Sequence, residues 1–509
     1  MINLLLITGM KELRKFNRDR NLGLLKNTKV FDVIIIGGGA TGLGCALDAS
    51  SRGFSVALFE KHDFCKGTSS RSTKLIHGGI RYLEKLQFSL VYESLKERDL
   101  LIKNASHIVK QIGFIIPVYK YWSMFYYWIG LKLYDLISGN YIFSKSKIID
   151  SKTALDYIPN LNKNKLKGGV IYFDGQFNDS RLGIDLALTS LEFNSVMLNY
   201  MSVDNFLKEN NKISGVKVFD SIGDKYYNIK AKSVINCTGV FSQSIINLDS
   251  IQQESLIKPS QGIHLIIDKK FLNGDFGFLV PNTSDGRVLF AIPWLNHVIL
   301  GTTDREVENP VFDPVAKEEE VEYILKNAKQ FFNIKPKRSD IKTVFVGLRP
   351  LVSNSKKLKS KDLSRKHKIV ISESGLISVI GGKWTTYRKI AEDTIDFLIS
   401  KFNLKTIESP TKKIKIINGL KHIDFSEKSL SEKFYISKSL IIHFVKNEMA
   451  INIDDIMSRR TRCLFLDVEE SIKIAPIVVE IMANELLKDK IWENKQLKSF
   501  YKLTNLYKI

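Results

Sequence analysis

The run Gly37, Gly38, Gly39, Ala40, Thr41, Gly42 has glycine at the first, third and sixth positions of a G-x-G-x-x-G pattern, and a carboxylate, Glu60, follows 18 residues after the last of them. Each glycine meets a separate steric demand of a bound dinucleotide. Gly37 permits a tight turn, Gly39 lets the backbone approach a pyrophosphate, and Gly42 lets a helix pack close to a strand. The first N–H groups of that helix would face the pyrophosphate, and Glu60 would accept hydrogen bonds from an adenosine ribose. The stretch 67–84, GTSSRSTKLIHGGIRYLE, follows at once. Its Thr68, Ser69, Ser70, Ser72 and Lys74 are donors suited to a diphosphate and a flavin ring, so FAD rather than NAD is the expected cofactor.

These residues need elements that aim them. Residues 31–36 are a short continuous apolar run, the pattern of a parallel strand buried on both faces, and glycines and a helical stretch come next. A second strand over 55–60 completes a right-handed βαβ unit. Further along, strands are predicted at 168–174, 212–218 with 226–229 as a hairpin, 233–236, 262–267, 288–292, 297–301 and 376–380, with helices at 179–193 and from Thr385 to about Lys401. Gly381 and Gly382 between strand and helix suggest a second helix N-terminus turned towards the flavin, whose anionic reduced ring it would stabilise. Beyond Ser409 the pattern is mostly helical.

The motifs occur in an order that resembles the FAD-dependent, quinone-linked sn-glycerol-3-phosphate dehydrogenases: residues 68–84, DGQFNDSRL (174–182), NCTG (236–239), SQGIHLI (260–266), DGRVLFAIPW (285–294), GTTD (301–304), GLRPL (347–351), GGKWTTYRKIAED (381–393) and SRRTRCLFLD (458–467). The resemblance implies oxidation of sn-glycerol 3-phosphate to dihydroxyacetone phosphate, with electrons passed to a membrane quinone. It implies a substrate pocket of Arg81, Tyr82, Arg349, Lys383 and Thr386, and adds Gly239 and Gly382 to the cofactor residues. A dianionic phosphate ester does call for directed cationic donors from separate loops. Hydride removal from the C2 alcohol also requires a base, for which His77, His264 and Arg349 are the candidates. Histidine titrates near neutrality and arginine does not, so a histidine suits the base and Arg349 the developing alkoxide. His77 is favoured by its place between Lys74 and Arg81, with a purely structural histidine left open.

The expected fold class is α/β: a Rossmann-like FAD-binding domain with an inserted β-rich substrate domain and a C-terminal helical domain. An N-terminal extension covers 1–29, the oxidoreductase region 30–400 and the helical domain 405–509. Within the second, cofactor segments are placed at roughly 30–105, 175–250 and 340–400, and substrate segments at roughly 106–174 and 251–339. The 509 residues, 44% of them hydrophobic, suffice for such cores. The formal charge of +22 is read mainly as lysines spread over solvated faces, with no block resembling a nucleic-acid arm. Four scattered cysteines form no close pair, so no metal site is expected and a reducing cytoplasm fits.

No apolar run reaches the ~18 residues of a spanning helix. The nearest approach, 121–139, carries Lys132 and Asp135 among Trp and Tyr residues such as Trp122 and Trp128. The stretch 119–134 is either an interfacial membrane anchor or a helix packed inside the protein. Localisation is expected to be cytoplasmic, with peripheral contact at the inner face of an anionic cytoplasmic membrane. A homodimer is one expectation for its assembly, which the sequence does not fix. Two rival readings stand beside the dehydrogenase: a glycerol-3-phosphate oxidase using dioxygen, and a non-catalytic flavin-binding membrane protein.

Overall fold

The computed structural model describes residues 16–79, 87–139, 144–250, 255–281, 283, 288–353, 367–405 and 407–509. Two sheets organise them. In the first, strand Phe31–Ile36 lies between Val56–Phe59 and the long strand Lys225–Asn236, with Leu376–Ile380 beyond the latter and Val196–Leu198 beyond the former, all parallel. Val33, Ile34 and Ile35 are fully buried, because helices cover both faces of a parallel sheet. The second strand of the hairpin expected near 212–229 and the buried strand at 233–236 are one continuous element, Lys225–Asn236. Residues 225–230 pair antiparallel with Lys212–Asp220, and the same strand then runs parallel beside Phe31–Ile36.

Near one edge of the second sheet, Ile257–Asp268 lies between Ile341–Val352 and His297–Gly301. The sheet continues through Leu289–Trp294 and Gly277–Val280 to Lys110–Val118 and Gly168–Gln176. The segment 341–352, grouped by sequence with the cofactor domain, thus joins the substrate sheet. One face of this sheet packs on helix Glu318–Ala328 through Val321, Ile324 and Leu325. The other packs on the C-terminal helices Lys438–Asn447 and Val468–Leu486, so the helical domain rests on the substrate sheet.

Buried charge fastens the helical domain to the cofactor side. Asp63 accepts from Arg459 at 2.5 Å and Arg460 at 2.6 Å, all three side chains being all but inaccessible. Glu448 pairs with Arg181 at 2.8 Å and Arg460 at 3.3 Å. Lys74 and Asp179 meet at 2.6 Å, with Arg462 at 3.4 Å from the same carboxylate. Such pairs gain little over a well-packed apolar core, but removing one partner strands the other in low dielectric.

Burial acts to raise the Glu448 carboxyl, yet Arg181, His443 and Arg460 hold it down at about 2. Its contribution is therefore fully present above the unfolded value of 4.5 and fades as pH falls from there towards 2. Glu448→Gln is expected to lose about 3–5 kcal/mol of stability at neutral pH. In urea unfolding at a series of pH values the variant should also show less of the wild type's acid-side decline. Equal stability at neutral pH would show that this carboxylate does not hold the domains together.

Candidate active site

A cleft of about 640 Å³ opens at the carboxyl ends of strands Phe31–Ile36, Val56–Phe59 and Lys225–Asn236, where open α/β sheets bind their ligands. Gly37, Gly39, Glu60 and Gly239 line it, as do Gly381 and Gly382. The glycine loop at one wall leaves little space for larger residues. Gly37 has φ +104°, and a Cβ there would sit 2.8 Å from the Cys237 carbonyl oxygen. A Cβ on Gly42 would collide with the Gly37 carbonyl oxygen, so Gly42 serves the strand–helix contact behind the loop. A Cβ on Gly39 would come 3.0 Å from Ser69 Oγ.

Helix Ala40–Ser51 has no side-chain cap at Gly39. Instead Ser69 Oγ accepts from the Ala40 N–H at 2.9 Å. Glu60 Oε2 accepts from Gly38 N–H at 2.6 Å and Oε1 from His62 N–H at 2.9 Å. Burial pushes this carboxyl up, and the two N–H donors oppose the shift. Glu60 therefore shapes the glycine loop from the end of its strand.

Of the predicted hydroxyl run, Thr68, Ser69 and Ser72 line the cleft, while Ser70 and Lys74 lie behind it. Thr68 Oγ1 donates to Leu348 O at 2.6 Å, and Ser72 Oγ to Asp179 Oδ2 at 2.7 Å. Lys74 Nζ donates to Ser70 O at 2.7 Å and to Asp179 at 2.6 Å. It sits 5.0 to 5.5 Å from the centroids of Phe345, Trp294 and Phe465. Burial draws its ammonium down to about 7 against the pull of Asp179. Lys74 is placed to hold the loop from inside rather than to meet a diphosphate.

The same cleft is lined by His77, His264, Arg349 and Lys383. Arg81 and Tyr82 lie outside the described residues. Thr386 is buried, with Oγ1 3.5 Å from Lys383 O, and it is Thr385 that lines the cleft. Arg349 donates to Thr302 Oγ1 at 3.0 Å, Thr303 O at 3.1 Å and Gln261 O at 3.3 Å, and lies 3.7 Å from Asp304. Its guanidinium occupies the space that a side chain at residue 262 would fill, which is why Gly262 interrupts a β-branched strand. Lys383 Nζ donates to Ser94 Oγ at 2.7 Å.

The two histidines differ. His264 stacks on Phe345 with centroids 4.8 Å apart, and its Nε2 is 2.9 Å from Thr73 Oγ1. Its buried Nδ1 has no hydrogen-bond partner among the described residues. Burial, then the charges of Lys74 and Arg349, hold it well below its ordinary value. An imidazole so surrounded resists protonation and suits a neutral hydrogen-bonding role. His77 is half-buried, and its backbone N–H faces Thr385 Oγ1 at 3.4 Å. Sequence reasoning missed Thr73, Gly262, Phe241, Phe312 and Trp384. Only Gly262 carried a local signal, as a glycine inside a strand; Trp384, whose Nε1 donates to Ser69 O at 2.9 Å, acts through the folded chain alone.

Residues 32–388 match the family model described as FAD dependent oxidoreductase, and residues 413–493 the one described as C-terminal domain of alpha-glycerophosphate oxidase. The human mitochondrial glycerol-3-phosphate dehydrogenase is 36% identical over 95% of this chain and 74% of its own length. A Dictyostelium discoideum protein named probable mitochondrial glycerol-3-phosphate dehydrogenase is 37% identical, over 94% of this chain and 83% of its own. Among solved structures, the glycerol-3-phosphate dehydrogenase from Bacillus halodurans complexed with FAD superposes with a TM-score of 0.77 at 27% identity, over 96% of this chain and 97% of that one.

Cys65 and Cys237 line the cleft, and both thiols are pushed up, Cys65 chiefly by burial and Cys237 by the neighbouring Cys45 as well as by burial. Protonated thiols are poor nucleophiles, so FAD is expected to be held noncovalently. Acid precipitation should leave a colourless pellet and a yellow supernatant; a pellet that keeps its colour would refute this. Gly42→Ala should yield protein with little flavin, read from the ratio of visible to ultraviolet absorbance.

Proposed function

The chain belongs to the FAD-dependent glycerol-3-phosphate dehydrogenases, and from that premise we propose that it oxidises sn-glycerol 3-phosphate to dihydroxyacetone phosphate and hands the electrons to a membrane quinone. The observation that carries this reading is the continuity of one cleft, lined both by the glycine loop at residues 37–41 and by Arg349, Lys383, His77 and His264. Bound there, FAD supplies a hydride acceptor. The cleft's own residues do the rest. Gly37 and Gly39 admit the pyrophosphate, Glu60 receives the ribose, and the turn at Gly381 and Gly382 brings backbone towards the flavin end.

Arg349 and Lys383 supply positive charge for the phosphate ester and for the alkoxide that develops as the hydroxyl proton leaves. Arg349 is held by two carbonyls and a hydroxyl, so its guanidinium is oriented before substrate arrives. His77 is the histidine placed to take the proton, since His264 is surrounded by burial and cations that disfavour its charged form. Thr73 fixes the His264 ring through Nε2.

Adding glycerol 3-phosphate without oxygen should bleach the flavin absorbance. Arg349→Ala should retain flavin yet bleach about ten- to a hundredfold more slowly, the worth of one charge-assisted contact of about 1.5–3 kcal/mol. Wild-type bleaching rates in that variant would remove Arg349 from the reaction.

A quinone is dissolved in lipid, so this reading includes contact with a bilayer. No helix among the described residues is long and apolar enough to cross one. Helix Tyr121–Ser138 offers another mode of contact. Trp122, Phe125, Tyr126, Ile129, Leu133 and Leu136 follow one another at helical spacing and are exposed, Trp122 to 83% and Leu136 to 77%. Met124, Leu131 and Tyr134 form the buried face, and Trp128 packs partly against the substrate-sheet core. The stretch is thus anchored on one side and apolar towards water on the other, the arrangement of an interfacial helix. Wild type should cosediment with anionic vesicles in a manner that salt only partly reverses, whereas Trp122→Ser, Phe125→Ser and Ile129→Ser combined should remain in the supernatant. Identical sedimentation would move the membrane contact elsewhere. An oxidase would instead turn over rapidly with dioxygen and gain nothing from a water-soluble quinone.

A further inference from the structure

The cofactor cleft has a wall that comes from the substrate sheet. Residues Arg305–Glu306 pair with Gln261 and Ser260, and Val307 N–H donates to Pro259 O at 3.0 Å. The chain then leaves the sheet and returns at helix Glu318–Ala328, with Val315 O accepting from Gln261 Nε2 at 3.2 Å. Both roots of this excursion are therefore tied to strand Ile257–Asp268, next to Arg349. Its tip reaches the cofactor side.

The tip is fastened there in two ways. The Phe312 ring stacks on Phe241 with centroids 4.0 Å apart and planes 18° from parallel, and meets His62 edge-on at 4.2 Å. Asp313 pairs with Arg71 at 2.5 Å and with Lys66 at 3.4 Å. Phe312, Phe241, Lys66 and Arg71 all line the cleft. Phe241 stands two residues after Gly239, at the start of helix Ser242–Asp249, and the backbone of His62 is held by Glu60. One aromatic pair and one ion cluster thus join the two sheets across the cleft, beside the loop that receives the pyrophosphate and the ribose.

We infer that residues 307–317 are a strap belonging to the FAD site, and that Phe312 and Asp313 hold the cofactor in place by closing this wall, so that FAD leaves only when the stack parts and the ion pairs break. The inference rests on FAD occupying this cleft. Asp313 keeps 27% side-chain exposure, so salt weakens the ionic half of the fastening in part, whereas the aromatic half does not respond to it. The strap also links the two ends of the site: its first residues follow Asp304, which faces Arg349, and its tip holds Lys66 and Arg71 on the cofactor loop.

The test is the rate of FAD release from the purified holoenzyme after dilution into flavin-free buffer, followed by the rise in flavin fluorescence. Phe312→Ala and Asp313→Asn should each release FAD about fivefold faster or more, with Phe312→Tyr near the wild type. High salt should speed release from the wild type and have little further effect on Asp313→Asn. Val311→Ser, on the exposed outer side of the strap, should leave the rate unaltered. Wild-type release rates in both Phe312→Ala and Asp313→Asn would overturn the inference, and the near-isosteric Asp313→Asn decides the matter if the alanine variant misfolds. A wild-type protein purified without flavin would instead overturn the assignment of FAD to the cleft.

Discussion

A lysine ammonium with no solvent access, Lys74, is the constraint on which the site depends. Burying such a charge alone costs far more than a domain's net stability, so the chain must bring a carboxylate to it. Asp179 is that carboxylate, and it receives the Ser72 hydroxyl and N–H as well, with Arg462 from the helical domain close by. Arg462 also donates to Ser70 O at 2.6 Å, the same carbonyl that Lys74 contacts. Three parts of the chain, far apart in sequence, can satisfy these charges only in one arrangement. That arrangement leaves Ser69, Thr73 and His77 on the cleft lining.

The consequence reaches the chemistry through short connections. Ser69 caps the dinucleotide helix on one side and accepts from Trp384 on the other, and Thr73 orients His264. The loop is therefore held from behind by charge and in front by hydroxyls. Preorganisation of this sort lets the cleft's dipoles act on developing charge without rearranging during the reaction. The helical domain, none of whose described residues lines the cleft, still takes part by supplying Arg462 to Asp179 and Arg459 and Arg460 to Asp63.

Much of this was legible in the residues themselves. The glycine spacing, the apolar run before it and Glu60 after it specify a βαβ unit because the steric demands are local, and the structure forms that unit with Gly37 in the turn and Gly42 against it. The elements around 297–301 and 376–380 were equally plain from their apolar runs. What sequence could not resolve was depth. Lys74 looked like a phosphate ligand because lysines in hydroxyl-rich loops usually face solvent, and nothing local announces that Asp179 waits a hundred residues on. Thr385 and Thr386 are indistinguishable as residue types; the direction of a single helical turn decides which one meets the cleft. The strand at 225–236 was read as two because its partners change from antiparallel to parallel midway, a change of neighbours that leaves no trace in its own alternation.

The central claim is that the cleft binds cofactor and substrate against a loop fixed by Lys74, Asp179 and Arg462, with substrate charge met by other cations. A crystal structure of the FAD complex with an unreactive analogue of glycerol 3-phosphate tests it most directly. The account predicts phosphate oxygens within hydrogen-bond distance of Arg349 and Lys383, the C2 carbon facing the flavin, and Lys74 still paired with Asp179. An analogue bound away from Arg349, or a Lys74 that has left Asp179 to contact either phosphate, would contradict it.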